Sequence, residues 1–218
     1  MKKKQYLVVG LGRFGRAIAS TLYELGNDVL AVDSNEDNVQ EISPYVTQAI
    51  QTDATEEENL LALGVNNFDV AIIGIGVDIQ SSVIVTLLLK EMGVKYVLVK
   101  ANSELHAKIL YKIGADKVVF PEKDTAIRVA HNLVSNNILD FIRLSPEYRV
   151  AEILCIDKWE QKDLKELDMR AKYGINIIAI KREDDIKISP TSDFKLLKND
   201  IIVAIGKQKD IEKLEKNI

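Results

Sequence analysis

Gly10-Leu11-Gly12-Arg13-Phe14-Gly15 decides how this chain is read. The run Tyr6-Leu7-Val8-Val9 precedes it, continuously apolar as a buried parallel strand is. An amphipathic stretch at 13–25 follows it, and Asp33 ends the next apolar run, 18 residues after Gly15. Strand, glycine turn, helix and acid in that order make the dinucleotide-type fingerprint. The first glycine permits the tight turn, the second lets backbone approach a phosphate, and the third lets helix and strand pack closely. The helix start offers unpaired N–H groups to anions. Asp33 is placed to accept hydrogen bonds from ribose hydroxyls, which favours an unphosphorylated 2′ position.

The same alternation runs outward from this stretch. Apolar runs at 6–9, 28–32, 46–50, 70–75, 96–99 and 118–120 read as six parallel strands. Helical segments at 13–25, 36–42, 56–63, 79–92 and 104–113 lie between them, several stopped by glycine. Short right-handed crossovers then give a doubly wound α/β sheet of Rossmann type. A longer helix follows Pro121-Glu122, at about 122–139, with apolar positions on more than one stripe. It either packs between two layers of its own chain or crosses to a second subunit. Beyond it the pattern changes. Strands at 150–156, 175–180, 186–188 and 201–205, a short helix near 162–167 and a terminal helix at 209–216 form a second, smaller α+β domain. The expected division is 1–140 for the nucleotide domain, with the crossover helix, and 145–218 for the smaller one. About 70 residues make a marginal independent core, which dimerisation would help.

Composition narrows the function classes. A 218-residue chain with a net charge of −4 lacks the basic face that nucleic acid requires. No run approaches the ~18 apolar residues of a membrane span, so no direct membrane insertion is expected. A single cysteine, Cys155, excludes an internal disulfide and fits a cytoplasmic setting. The two histidines, His106 and His131, fall in expected helices without a nucleophile–base constellation, and Cys155 lies in an apolar strand. No Walker-type lysine or metal-ligand spacing occurs, and no segment is large enough for a dehydrogenase substrate domain. The chain reads as a binder and regulator, not an enzyme. A small NAD-dependent oxidoreductase is the alternative.

Three further clusters carry chemistry. Arg13 puts a guanidinium beside the phosphate turn, which suits a charge beyond a pyrophosphate, as on ATP. It could equally cap the sheet edge or pair with a nearby acid. Asp53-Ala54-Thr55 ends the third strand, where small residues would let an adenine lie flat. Ile75-Gly76 ends the fourth strand on the same rim. Ligands of open α/β sheets bind outside the carboxyl ends of strands, so these positions converge.

These motifs, with Lys100-Ala101, Lys112-Ile113-Gly114-Ala115-Asp116 and Pro121-Glu122-Lys123-Asp124, resemble the regulators of potassium conductance (RCK, or TrkA-type, proteins). Those are the gating subunits of bacterial Ktr and Trk potassium-uptake systems, and the Ktr type resembles this chain most. Leu167-Asp168-Met169-Arg170-Ala171-Lys172-Tyr173-Gly174-Ile175-Asn176-Ile177-Ile178 and Ile188-Ser189-Pro190 extend the likeness through the second domain. The resemblance implies a non-catalytic cytoplasmic protein, peripheral to the membrane through a potassium-transporter subunit of the KtrB kind. It implies homodimers assembled into an octameric ring, with ATP favouring the active ring and ADP the inactive one. To the residues above it adds Phe14, Lys100 and Glu122 as nucleotide contacts. Glu122 would also hold Mg or another cation near the phosphates. It implies cyclic di-AMP at a dimer interface of the second domain, against Met169, Arg170, Asn176, Ile177 and Pro190. Read without the resemblance, Ile177 is strand core and Arg170 a surface charge.

Overall fold

The structure, a computed structural model, describes residues 3–134 and 138–216. It divides into two compact units, Met1–Glu122 and Lys123–Ile218. In the first unit, β1 (Gln5–Val9), α1 (Arg13–Glu24), β2 (Asp28–Asp33), α2 (Glu36–Ile42), β3 (Gln48–Gln51) and α3 (Glu57–Ala62) come first. There follow β4 (Val70–Ile73), α4 (Ile79–Glu91), β5 (Val97–Lys100), α5 (Glu104–Lys112) and β6 (Lys117–Val119). The helix α6 (Pro121–Val134) spans the division between the units.

The six strands form one parallel sheet in the order β3-β2-β1-β4-β5-β6. That is the doubly wound order, with its switch point between β1 and β4. Alternate residues of each strand feed two cores. Leu7 and Val9 join Val32, Ile73 and Val99 against Leu60, Val85, Leu89 and Leu110 of α3, α4 and α5. Val8, Ala31 and Ile72 face the other way, onto Phe14, Ala19 and Leu22 of α1 and Ile42 of α2. Both faces are covered, which is why the strands are apolar throughout.

The helix α1 crosses the sheet so closely that a Cβ on Gly15 would lie 1.9 Å from the Gly10 carbonyl oxygen. A Cβ on Gly74 would come within 2.5 Å of the same oxygen. Gly10 itself holds φ +88, open to glycine alone without strain.

The second unit carries β7 (Ile138–Arg143), β8 (Tyr148–Leu154), α7 (Leu164–Leu167), α8 (Met169–Tyr173), β9 (Ile175–Arg182), β10 (Asp185–Ile188), β11 (Ile201–Lys207) and α9 (Gln208–Lys216). Its sheet is antiparallel, in the order β10-β9-β11-β8-β7. Trp159, Ile153, Ile175, Ile180, Leu196, Ile202 and Ile211 fill one core, with Trp159 edge-on to Tyr173. Asp200, 1% exposed, takes both a bidentate pair from Arg182 and the Leu197 N–H, so its buried charge is fully partnered.

Two expectations change here. The long helix ends at Val134, and Ile138 and Leu139 belong to strand β7; residues 135–137 lie outside the described ones. Ile142 and Phe141 pair against β8, and that ladder outweighs continued helix. Within this chain α6 leaves Ile127, Val129 and Leu133 exposed, so it is not a helix packed between two layers of its own. By packing, the part of α6 from Lys123 onward is grouped with the second unit, whose sheet β7 joins.

Replacing Gly15 with Ala drives a methyl into a backbone carbonyl that cannot swing aside. Overpacking of this kind costs about 1–3 kcal/mol, so Gly15→Ala lowers the melting temperature of the first unit by several degrees. Gly12→Ala, where a Cβ meets nothing within 4 Å, leaves it nearly unchanged. Equal melting of Gly15→Ala and the parent chain would refute the close approach.

Candidate functional site

The glycine turn and the strand ends beside it enclose a cavity of about 390 Å³. Gly10, Gly12, Asp33, Asp53, Ala54, Thr55, Ile75 and Gly76 line it, as the sequence suggests. Ser34, Asn38, Thr52, Gly74, Val77, Asp78 and Ser81 line it as well. Asn38 lies one helical turn after the Asn35 that caps α2, and Asp78 caps α4. Capping residues just past a strand end were the available signal for this rim.

Asp33 does two jobs at once. Its Oδ2 accepts the Leu11 N–H at 2.6 Å and its Oδ1 the Asn35 N–H at 2.8 Å. The carboxylate therefore ties the glycine turn to the end of β2 and still borders the cavity. Asp53 turns one oxygen back on Thr55, whose hydroxyl and N–H both donate to Oδ1. Those hydrogen bonds, the hydroxyl's first, hold its carboxyl below the usual range. Asp78 is held low in the same way by Ser81.

The start of α1 is built differently from those of α2, α4 and α5. Asn35, Asp78 and Ser103 cap α2, α4 and α5 with side-chain oxygens. Gly12 supplies no such cap, and the first turn of α1 holds no acidic residue. The first N–H groups of a helix have no partner within it, so here they face outward with the helix dipole behind them. An anionic group against Gly12 meets amides rather than a competing carboxylate.

Arg13, Phe14, Gly15, Lys100 and Glu122 do not line the cavity. Gly15 acts through packing, and Phe14 turns onto the core under α1. Lys100 Nζ sits 2.5 Å from Glu122 Oε1, and its side chain is only 16% exposed. That hydrogen bond, with a smaller contribution from the charge of Arg13, holds the Glu122 carboxyl below its ordinary value. Two cations and one acid thus flank the phosphate turn. As a metal centre the arrangement does not fit: Glu122 is one carboxylate already paired with an ammonium. Among the described residues no group of three His, Cys, Asp or Glu could hold an ion.

Behind this flank, Asn102 donates to the Gly76 carbonyl at 2.9 Å, and His106 Nδ1 lies 3.3 Å from Asn102 Oδ1. His106 is buried with no partner for Nε2. Cys155 is buried in the second core, and its thiol is pushed up to about 11 by that burial. Neither is an activated nucleophile or base.

In the second unit, Arg170 and Asn176 come together with Tyr148, Gly206, Lys207, Lys209 and Asp210 around a cavity of about 490 Å³. The lysines were not singled out by sequence, because β11 and α9 reach this place only through the antiparallel β11–β9 pairing. Met169 is buried in the core, Ile177 is half-buried against it, and Pro190 does not line this cavity. Among the described residues no helix is long and apolar enough to cross a membrane.

The TrkA-N domain model matches residues 6–121 and the TrkA-C domain model residues 157–218. Ktr system potassium uptake protein C of Bacillus subtilis (strain 168) is 46% identical over 216 residues, covering 99% of this chain and 98% of that protein. Ktr system potassium uptake protein A of the same organism is 44% identical over 215 residues, covering 99% and 97%. Among solved structures, the GsuK RCK domain shares the fold at a TM-score of 0.67 and 17% identity, covering 99% of this chain and 47% of that one. The GsuK channel bound to NAD does so at 0.64 and 16%, covering 98% and 39%.

His106 yields a pH dependence. Burial holds its imidazole below the ordinary value, so the folded unit binds fewer protons than the unfolded chain just below about pH 6.5. Stability is then full above that pH and falls as acid pulls the group toward its charged form. His106→Gln should flatten the loss of melting temperature that begins below about pH 6.5 and leave the carboxylate-driven loss at lower pH. Identical acid profiles for the two chains would contradict this.

Proposed function

This chain belongs to the family built from TrkA-N and TrkA-C domains, and on that premise we propose that it is a nucleotide-gated regulatory subunit of a membrane potassium transporter. It is a binder, not an enzyme. The observation that carries the reading is the uncapped start of α1 opening beside the Asp33-lined cavity, with Arg13 and Lys100 on its flank. An adenosine would sit over Ala54 with its ribose hydroxyls on Asp33, and its phosphates would run along Gly12 to the amides of α1. Arg13 is exposed at the first position of α1 and would meet a terminal phosphate. ATP is then favoured over ADP, and NAD(H) is the lesser ligand. The potassium cargo comes from the relatives, both named as potassium uptake proteins.

The gating follows from differential affinity alone. ATP can move the protein between two states only by binding one more tightly than the other. The nucleotide domain is assigned to 1–140 and the regulatory domain to 145–218. The exposed Ile127, Val129 and Leu133 of α6 support a helix that meets a second copy, and paired subunits would build an octameric ring. The protein would work in the cytoplasm, held at the membrane by its transporter.

The second cavity supports a phosphate ligand, since Arg170, Lys207 and Lys209 all line it. Cyclic di-AMP, a two-fold symmetric dianion, suits a two-fold interface in which each half meets the same residues. Arg170 would face a phosphate and Asn176 an adenine edge. Ile177 and Pro190 would be apolar walls completed by the second subunit, with Met169 supporting them from the core.

Two titrations test these roles. Arg13→Ala should weaken ATP by roughly 10–150-fold, the equivalent of a lost charge-assisted contact of ~1.5–3 kcal/mol, and ADP by much less. Equal weakening of both nucleotides would remove Arg13 from reading the terminal phosphate. For the second site, calorimetry on the intact chain should give one cyclic di-AMP per two chains, with most of the heat lost in Arg170→Ala. No heat from the parent chain would rule that ligand out.

A further inference from the structure

Past β4 the rim of the nucleotide cavity is an irregular stretch, Gly76-Val77-Asp78, in which Val77 is 98% exposed. Asp78 fixes its far end by capping α4. The near end is fixed from the next strand. β4 and β5 pair in parallel, so their carboxyl ends lie together, and Asn102, just past β5, donates from Nδ2 to the Gly76 carbonyl at 2.9 Å. A peptide unit is planar and trans, so its C=O and N–H point opposite ways. Holding the Gly76 carbonyl toward Asn102 therefore turns the Val77 N–H away from it. That N–H donates to no backbone group among the described residues.

Asn102 is itself exposed, and an exposed side chain changes rotamer freely unless something holds it. What holds it comes from the buried side. His106 is 1% exposed, and its Nδ1 lies 3.3 Å from Asn102 Oδ1. The Ser103 hydroxyl, capping α5, accepts the His106 N–H at 3.1 Å and sets the backbone from which the ring departs. The polarity of this relay runs one way. A carbonyl only accepts, so the Asn102 amide nitrogen must face Gly76 and its oxygen must face His106. That oxygen only accepts in turn, so Nδ1 must carry the proton. Nε2, buried without a partner, is then the bare nitrogen, and burial keeps the ring from gaining a second proton. The other tautomer would set two lone pairs against each other and turn the amide round.

We propose that His106 is a positioning residue for the nucleotide site: its Nδ1–H fixes the Asn102 amide, which holds the Gly76 carbonyl and so aims the Val77 N–H at the ligand. The proposal rests on the nucleotide reading of the first unit. It gives a buried histidine that no catalytic step uses a task that only one of its tautomers can perform.

Two substitutions separate positioning from packing. His106→Asn keeps an N–H donor where Nδ1 was but leaves space in the core, and His106→Phe fills the space without a donor. Calorimetry with ATP on the intact chain should find binding weakened roughly 2–10-fold in His106→Phe, the size of one lost neutral hydrogen bond. His106→Asn should bind ATP as the parent does while melting lower, because a vacated core volume costs stability. Asn102→Ala, on the surface, should weaken ATP as His106→Phe does, and the two together should cost no more than either alone. The chain has two histidines, so His131→Gln leaves His106 as the one ring to read by nitrogen NMR. Its Nδ1 should be protonated and its Nε2 bare, and its resonances should move when ATP is added. A proton on Nε2 instead, or His106→Phe binding ATP as tightly as the parent, would overturn the proposal. So would affinity that simply follows melting temperature across the variants. Failure of the parent chain to bind ATP would strike the nucleotide reading, and the positioning role with it, while the ring tautomer would stand as measured.

Discussion

The contact between α1 and the sheet at Gly10, Gly15 and Gly74 sets everything else in the first unit. Three residues without side chains let one carbonyl oxygen sit where a Cβ would otherwise be, 1.9 Å from an added Gly15 methyl carbon. That closeness brings the first turn of α1 to the carboxyl edge of β1, directly beside the end of β2. Only then can the Asp33 carboxylate reach the Leu11 N–H and still border the cavity. A larger residue at any of the three positions would move the turn, and with it the amides that make the start of α1 attractive to an anion.

Charge is distributed around that turn in a way that fits the same purpose. The cavity wall carries Asp33, Asp53 and Asp78, each holding backbone or hydroxyl donors. The cations stand apart, on the flank formed by Arg13 and Lys100. A ligand with a polar, hydroxyl-rich end and an anionic end is oriented by this arrangement before any close contact forms. The second unit repeats the theme with other means: Arg170, Lys207 and Lys209 gather at one place on an antiparallel sheet in which the buried Asp200 carboxylate is already satisfied.

Much of the first unit was legible because its signals are local. A glycine turn between a buried strand and a helix, followed by an acid, leaves little freedom, and the strand ends converge once the parallel order is granted. What could not be read is what sequence distance hides. Lys100 and Glu122 stand 22 residues apart and meet because β5 and β6 pair in parallel. Lys207 and Lys209 reach Arg170 only across the β11–β9 ladder. β7 was mistaken for the tail of α6 because Ile138 and Leu139 extend an apolar helical pattern. α8 was missed because Asp168, at φ 42, ends α7 and caps the next helix within one residue. Turn chemistry of that kind is written in backbone angle, not in residue type.

Amide hydrogen exchange on the intact chain, with and without ATP, tests the central claim most directly. Binding at the phosphate turn should slow exchange at Gly12, Arg13 and Phe14 and along Asp53-Ala54-Thr55, because those N–H groups either face the ligand or border it. Exchange at those positions that is unaltered by saturating ATP, or protection that falls elsewhere in the chain, would contradict the account.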